Sequence, residues 1–419
     1  MHRIRQATLA DLPPLMELAK SGNFINLPPQ ENQLRGLLES AERSFAVAKA
    51  EAPPADYDRS KHLAIFVLET PDGDVIGTSG IRFGMGDSNH PNLSFQLINV
   101  VRRSESLRKE ETLGVGELVI MSGESEHVYA VLFQDTNSPT ELGGNVIHRD
   151  HRGGGHGKLL SYGRFQYMHR RPSFFSDRIM AEMMAPIDPY NDGNTFWRHV
   201  ARRFINLSYE NADRLSTVRE RREFMYNLLP PMVNLSLLEE DVLEFLGAVG
   251  PQTKGAARML ADIGFRYVHR VDPFDAGAHL EMRLSQCEKL PSVSAKARAL
   301  PTPPPWLTEM IVSADDPDRG FRAVRCRGGI GDDPSELQLD DDVRSTLEID
   351  EGERVMYARL DFVRAPGHPM PLPEVNLDRE HEQMHPHETA PLVEAAIGPV
   401  AFGEIIERTI EQIRAEFGA

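Results

Sequence analysis

A chain of 419 residues is too long for one compact core, so about two or three domains or lobes are expected. The net charge of −17 and the lack of a concentrated basic stripe argue against nucleic acid as a partner. No apolar run approaches membrane-spanning length, no signal-peptide core is read at the N-terminus, and Cys287 and Cys326 supply neither a disulfide framework nor a metal motif. The expectation is a soluble, cytoplasmic protein of mixed helix and strand, with no membrane partner and no metal.

In chain order, residues 4–8 read as a short edge strand, and Asp11 as the cap of a helix whose apolar face is Leu12, Leu15, Met16 and Leu18. A second helix is predicted near 34–45. Strands at 64–69 and 75–81 flank Pro71-Asp72-Gly73-Asp74, a strong hairpin signal. Further strands are predicted at 116–121 and 128–134, and another ends at Ile147. Then comes His151-Arg152-Gly153-Gly154-Gly155-His156-Gly157-Lys158, followed by a helix-compatible segment. A strand at 178–184 leads to a helix at 196–203. Residues 256–267 read as a helix stopped by Gly264, with Phe265 opening a strand. Residues 286–305 are rich in Ala, Ser and Pro and read as a linker. Strands are expected at 321–327 and 347–360. The last segment is proline- and histidine-rich, then carries Ile406, Ile410, Ile413 and Phe417 at helical spacing.

The glycine segment carries the most chemistry. Glycines let backbone N–H groups approach a bulky anion, and a helix N-terminus behind them adds partial positive charge. That is the design of a pyrophosphate cradle. The spacing to Gly-Lys-Ser/Thr of a P-loop is absent, and so is the pattern of three spaced glycines that marks dinucleotide sites. The Arg-x-x-Gly-x-Gly arrangement at 152–157 instead resembles the acyl-coenzyme A signature of the GNAT acyltransferase superfamily. The order of elements around it is similar to that superfamily as well.

Within that superfamily the chain resembles the arginine N-succinyltransferase family. The matching residues include Ile25-Asn26-Leu27-Pro28, Glu141-Leu142, Ala181-Glu182-Met183, Ile187-Asp188 and Phe196-Trp197. Pro251-Gln252-Thr253, Gly264-Phe265-Arg266-Tyr267 and Phe274-Asp275-Ala276-Gly277 follow, and the resemblance extends over roughly residues 1–362. Residues 102–128 look longer than in the family, and the last fifty or so have no counterpart.

The resemblance implies an α+β fold: a GNAT-like mixed, mostly antiparallel sheet flanked by helices. Residues 1–212 would form the acyl-CoA-binding domain and 213–285 a second GNAT-like lobe. A linker would span 286–305, a small C-terminal β-rich module 306–365, and an irregular segment with a helix 366–419. The implied reaction moves a succinyl group from succinyl-CoA to the α-amine of L-arginine by direct attack on the thioester, in arginine catabolism. No tightly bound cofactor is implied. A related transferase for another amine such as ornithine, or a non-catalytic acyl-CoA-binding subunit, stays open. The partners would be acyl-CoA and an amino acid, in a homodimer or beside a paralogous subunit.

Asn145, Val146, Ile147, Arg152, Gly153, Gly154, Gly155, His156, Gly157 and Lys158 are the expected coenzyme A contacts. Glu182, a carboxylate in the apolar run 179–184, is the first candidate for the general base, and His148 the second. Asp135 and Glu141 are candidates for binding the guanidinium, which needs a planar carboxylate partner. Trp197 stands where many GNAT enzymes place a tyrosine acid, leaving Tyr190 or Tyr209 to substitute. Arg102, Arg103, Arg108 and Lys109 could meet a phosphate of coenzyme A or the succinyl carboxylate. His368, His381, His385 and His387 are too irregularly spaced for a metal site.

Overall fold

The computed structural model describes residues 1–20, 27–104, 123–188, 190–216, 223–301, 306–331 and 333–360. The expected strand at 116–121, the side chains of the basic patch at 102–109, residues 25–26 and the segment 366–419 with its four histidines lie outside the described residues or side chains.

The chain opens with β1 (Arg3–Gln6), α1 (Leu12–Lys20) and α2 (Glu31–Val47). The entry into α1 is a capping box: Thr8 stands at the cap, and Asp11 reaches back to the Thr8 amide at 2.8 Å. Asp11 therefore completes the cap of Thr8. β2 (Leu63–Glu69) and β3 (Val75–Arg82) form the expected hairpin, its turn closed by Gly73 at φ +91°. The long strands β4 (Asn92–Ser104) and β5 (Gly123–Asp135) pair along their whole length, and β6 (Thr140–Ile147) leads through the glycine segment into α3 (His156–Arg170).

β7 (Arg178–Glu182) precedes the short helices α4 (Thr195–His199), α5 (Tyr209–Ser216) and α6 (Glu223–Leu228). After β8 (Met232–Asn234) and α7 (Glu240–Leu243) come α8 (Lys254–Ile263), β9 (Arg266–Val271) and β10 (Ala278–Arg283). The residues expected to form a second lobe join the main sheet, in which the order runs β1-β2-β3-β6-β7-β10-β9-β4-β5-β8. Pairing in this sheet is antiparallel except between β6 and β7. The α+β, GNAT-like expectation holds.

The remaining elements are β11 (Val293–Ala299), β12 (Leu307–Asp316), β13 (Gly320–Ile330), β14 (Glu336–Leu339), α9 (Asp341–Leu347) and β15 (Arg354–Arg359). β12, β15, β11, β14 and β13 close on themselves through the β12–β13 pairing and make a small barrel. Ala295, Ala297, Met310, Val312, Leu337 and Tyr357 fill it, and α9 contributes Val343 and Leu347. Two expectations are corrected here. β11 lies inside the segment read as a linker over 286–305, with Ala295 and Ala297 buried and Ser294 and Lys296 exposed. β1 is an interior strand, because β13 pairs with it through Arg3–Val324, Ile4–Ala323 and Arg5–Arg322.

α3 lies against the sheet between α8 and the barrel, and every residue from Leu159 to Met168 is buried. Among the described residues, no helix is long and apolar enough to cross a membrane.

Candidate active site

β6 and β7 are paired only at Thr140–Ile179 and Glu141–Met180, and beyond that point they separate. β6 is also bulged against β3. Thr78 faces Val146 and Gly80 faces Gly143, so Gly144 and Asn145 stand opposite Ser79 alone. Gly144 takes φ +60°, which favours glycine. From α3, the buried Arg164 donates through Nη1 to Gly80 O at 3.0 Å and Gly143 O at 3.1 Å. The bulged part of β6 is thereby turned from the sheet toward a cleft.

That cleft holds a cavity of about 240 Å³. Its walls include Gly144, Asn145 and Val146 of β6, Ser161 of α3, and Ala256 and Leu260 of α8. The same cavity is bordered by Glu182, Asp213, Asp272 and Asp275, together with Tyr209.

The acids come from β7, α5 and the turn between β9 and β10, and they crowd one another. Burial, then Asp272 and Glu182, push the Asp213 carboxyl up to about 8. Burial and Glu182 raise Asp272, and burial and Asp272 raise Asp275. Asp272 accepts from the amides of Phe274 at 2.7 Å and Asp275 at 3.0 Å. Asp275 accepts from Gly277 N at 2.7 Å and Ala185 N at 3.0 Å, and the Tyr209 hydroxyl donates to it at 3.5 Å. Asn92 donates to Glu182 Oε1 at 3.4 Å.

The glycine segment forms the start of α3. Gly153, Gly154 and Gly155 take φ of +99°, +45° and +80°, and Gly155 is the N-cap, with no side chain supplying a capping hydrogen bond. The positive end of the α3 dipole therefore meets the glycine turn with no side chain capping it, an arrangement that favours an anion. Gly157 faces Met259 of α8 across ordinary contact distance. On the other face, Arg325 from the barrel donates to Gly154 O at 2.8 Å. Burial, then His151 and Arg325, lower the His156 imidazole.

Glu182, Glu141, Asn145 and Val146 are brought to one cavity. Arg152 and Lys158 stay at the cradle, where Arg152 donates to Ile147 O at 3.3 Å. Other expectations fare differently. His148 does not line the cavity; it accepts from Asp150 N at 3.4 Å and caps the turn that follows β6. Asp135 is buried against Arg178, with Arg270 at 3.5 Å, so the protein's own guanidinium groups occupy it. Glu141 lies 3.3 Å from Arg82. Trp197 is core, packed on Tyr209 and Phe274, and Tyr190 is 95% exposed, which leaves Tyr209 as the tyrosine at the cavity.

Asn92, Arg164, Asp213 and Asp272 are not among the residues that the sequence singles out. Arg164 did leave a signal, as the one charge in the run 159–168 of that helix.

A bulged strand splaying from its parallel neighbour, with a glycine loop opening the helix behind it, defines a GNAT-like N-acyltransferase. The family model described as arginine N-succinyltransferase beta subunit matches residues 2–289, and the chain belongs to the arginine N-succinyltransferase family. The arginine N-succinyltransferase subunit beta of Pseudomonas aeruginosa is 31% identical over 304 residues, 72% of this chain and 82% of that protein. The arginine N-succinyltransferase of Citrobacter koseri is 28% identical over 365 residues, 85% of this chain and 97% of that protein. The solved structure of arginine/ornithine succinyltransferase subunit AI from Pseudomonas aeruginosa has the same fold, with TM-score 0.69 at 24% identity over 86% of this chain and 98% of that one.

Proposed function

We propose that this protein transfers the succinyl group of succinyl-CoA to the α-amine of L-arginine, as a cytoplasmic enzyme of arginine catabolism. The observation that carries the reading is the make-up of the cavity, where a bulged backbone meets a group of carboxylates. The first suits a thioester and the second suits an acceptor that carries positive charge. The glycine segment at 152–158 would hold the pyrophosphate of coenzyme A, and the N–H groups of residues 145–147 would face the thioester oxygen.

An α-ammonium group has a pKa of ~8 and cannot attack until it loses a proton. Glu182 would accept that proton. The new C–N bond forms as the C–S bond breaks, and coenzyme A leaves as the free thiol. Asp213 and Asp272 give the guanidinium end of the acceptor its carboxylate partners, a role that Asp135 is too fully paired to play. The relative named as a subunit beta supports assembly with a second, similar subunit as well as a homodimer.

The test is thiol release from succinyl-CoA or acetyl-CoA in the presence of a panel of amino acids. Release with arginine and succinyl-CoA is expected. Release only with ornithine or with acetyl-CoA would reassign the substrates, and coenzyme A binding without release for any acceptor would make the chain a binding subunit.

A further inference from the structure

We propose that His279 is a positioning residue for Glu182, donating a hydrogen bond from Nε2 to the carboxylate that takes the acceptor's proton; this rests on the reading of Glu182 as the base. In the antiparallel pairing of β10 with β7, His279 stands directly opposite Glu182. Residues so paired put their side chains on the same face, within reach of each other. Nε2 lies 3.7 Å from Glu182 Oε1.

The ring is 1% exposed, and neither of its nitrogens has a hydrogen-bond partner. A buried donor left unpaired is costly, so a nearby carboxylate is its natural partner. Closing the remaining gap takes a small side-chain adjustment, of the kind that accompanies substrate loading. Burial and Arg270 push the imidazole down to about 4, so near neutral pH it carries one N–H and no charge.

The surroundings make that donor useful. Asn92, from β4, already donates to the same Oε1. Asp213 from α5 and Asp272 beyond β9 lie beside Glu182, whose charge helps to raise both of them. Arg270 of β9 and Glu281 of β10, the remaining charged groups near the ring, pair with each other. Asn92 and His279 thus converge on one carboxylate oxygen, and donation to it favours the charged form that accepts a proton.

The experiment is the pH profile of kcat/KM for arginine in the full-length protein and in His279→Ala, His279→Gln and Glu182→Gln. His279→Ala should move the ascending limb upward by about one pH unit and lower the rate on that limb about tenfold. KM for succinyl-CoA should stay unchanged. His279→Gln, whose amide can donate from near the place of Nε2, should return the limb toward its original position. An unmoved limb in His279→Ala, or a shift that His279→Gln leaves in place, overturns the proposal. If His279→Ala does not fold, the 15N shifts of the wild-type ring decide: a neutral ring protonated on Nε2 is expected, and a ring protonated on Nδ1 alone overturns it. Full activity in Glu182→Gln would overturn the base reading itself, whatever His279 does.

Discussion

Arg164 holds the carbonyl oxygen of Gly143 at 3.1 Å, at the point where β6 enters its bulge. The same nitrogen reaches Gly80 O across the strand pair, and Nε contacts Ser161 O at 3.3 Å. One buried side chain therefore ties α3 to β3 and β6 at the bulge that opens the cleft. Arg164→Met keeps much of the volume but leaves buried carbonyls unpaired, at a cost of about 2–4 kcal/mol. Urea melts should show that loss, together with weaker coenzyme A binding. A variant of normal stability and affinity would remove Arg164 from the framework of the site.

Gly155 offers a second test. Its φ of +80° is strained for other residues, and an added Cβ would overlap the Arg325 guanidinium. Gly155→Glu places both bulk and negative charge in the cradle. Calorimetric titration with coenzyme A should show binding abolished, and unchanged affinity would sink the cradle assignment.

Asp135 separates structural from substrate-binding acids. It is buried between Arg178 and Arg270, and breaking such a pairing costs about 3–5 kcal/mol. Asp135→Asn should lower the melting temperature sharply while the arginine KM of the folded fraction stays the same. A selective rise in that KM would restore Asp135 to the acceptor site.

Asp213 gives the protein a pH signature. With its carboxyl pushed up to about 8, the folded state keeps a proton that the unfolded chain has already released. This contribution is fully present at low pH and is lost as the pH rises from about 4 toward 8, with a slope of at most about 1.4 kcal/mol per pH unit. Asp213→Asn should flatten the pH dependence of stability in that window. Arginine should also release protons when it binds the wild type, read by calorimetry in buffers of different ionisation enthalpy. An identical slope in the variant would remove Asp213 as its source.

The parts of this fold that could be read from the sequence are those encoded by neighbours along the chain. The β2–β3 hairpin follows from its turn residues, and the cradle from clustered glycines ahead of a helix. Glu182 stood out as a charge within an apolar strand. β11 was hidden because its inward residues are alanines, which signal a strand weakly. β1 read as an edge because its second partner, β13, comes more than three hundred residues later. In so acidic a chain, Asp213 and Asp272 drew no notice until the fold brought them to Glu182. The partners of Asp135, Arg178 and Arg270, lie far from it in the chain, so its pairing has no local signal.

The β1–β13 pairing also bears on how the molecule is made. The strand that opens the chain finds its second neighbour only in residues that leave the ribosome late. Until then, one side of the nascent sheet has unsatisfied backbone groups, the setting in which stray strand association begins. Release of a chain cut short before β13 would leave that side bare, so loss of the barrel should appear first as aggregation during synthesis, before any question of catalysis arises.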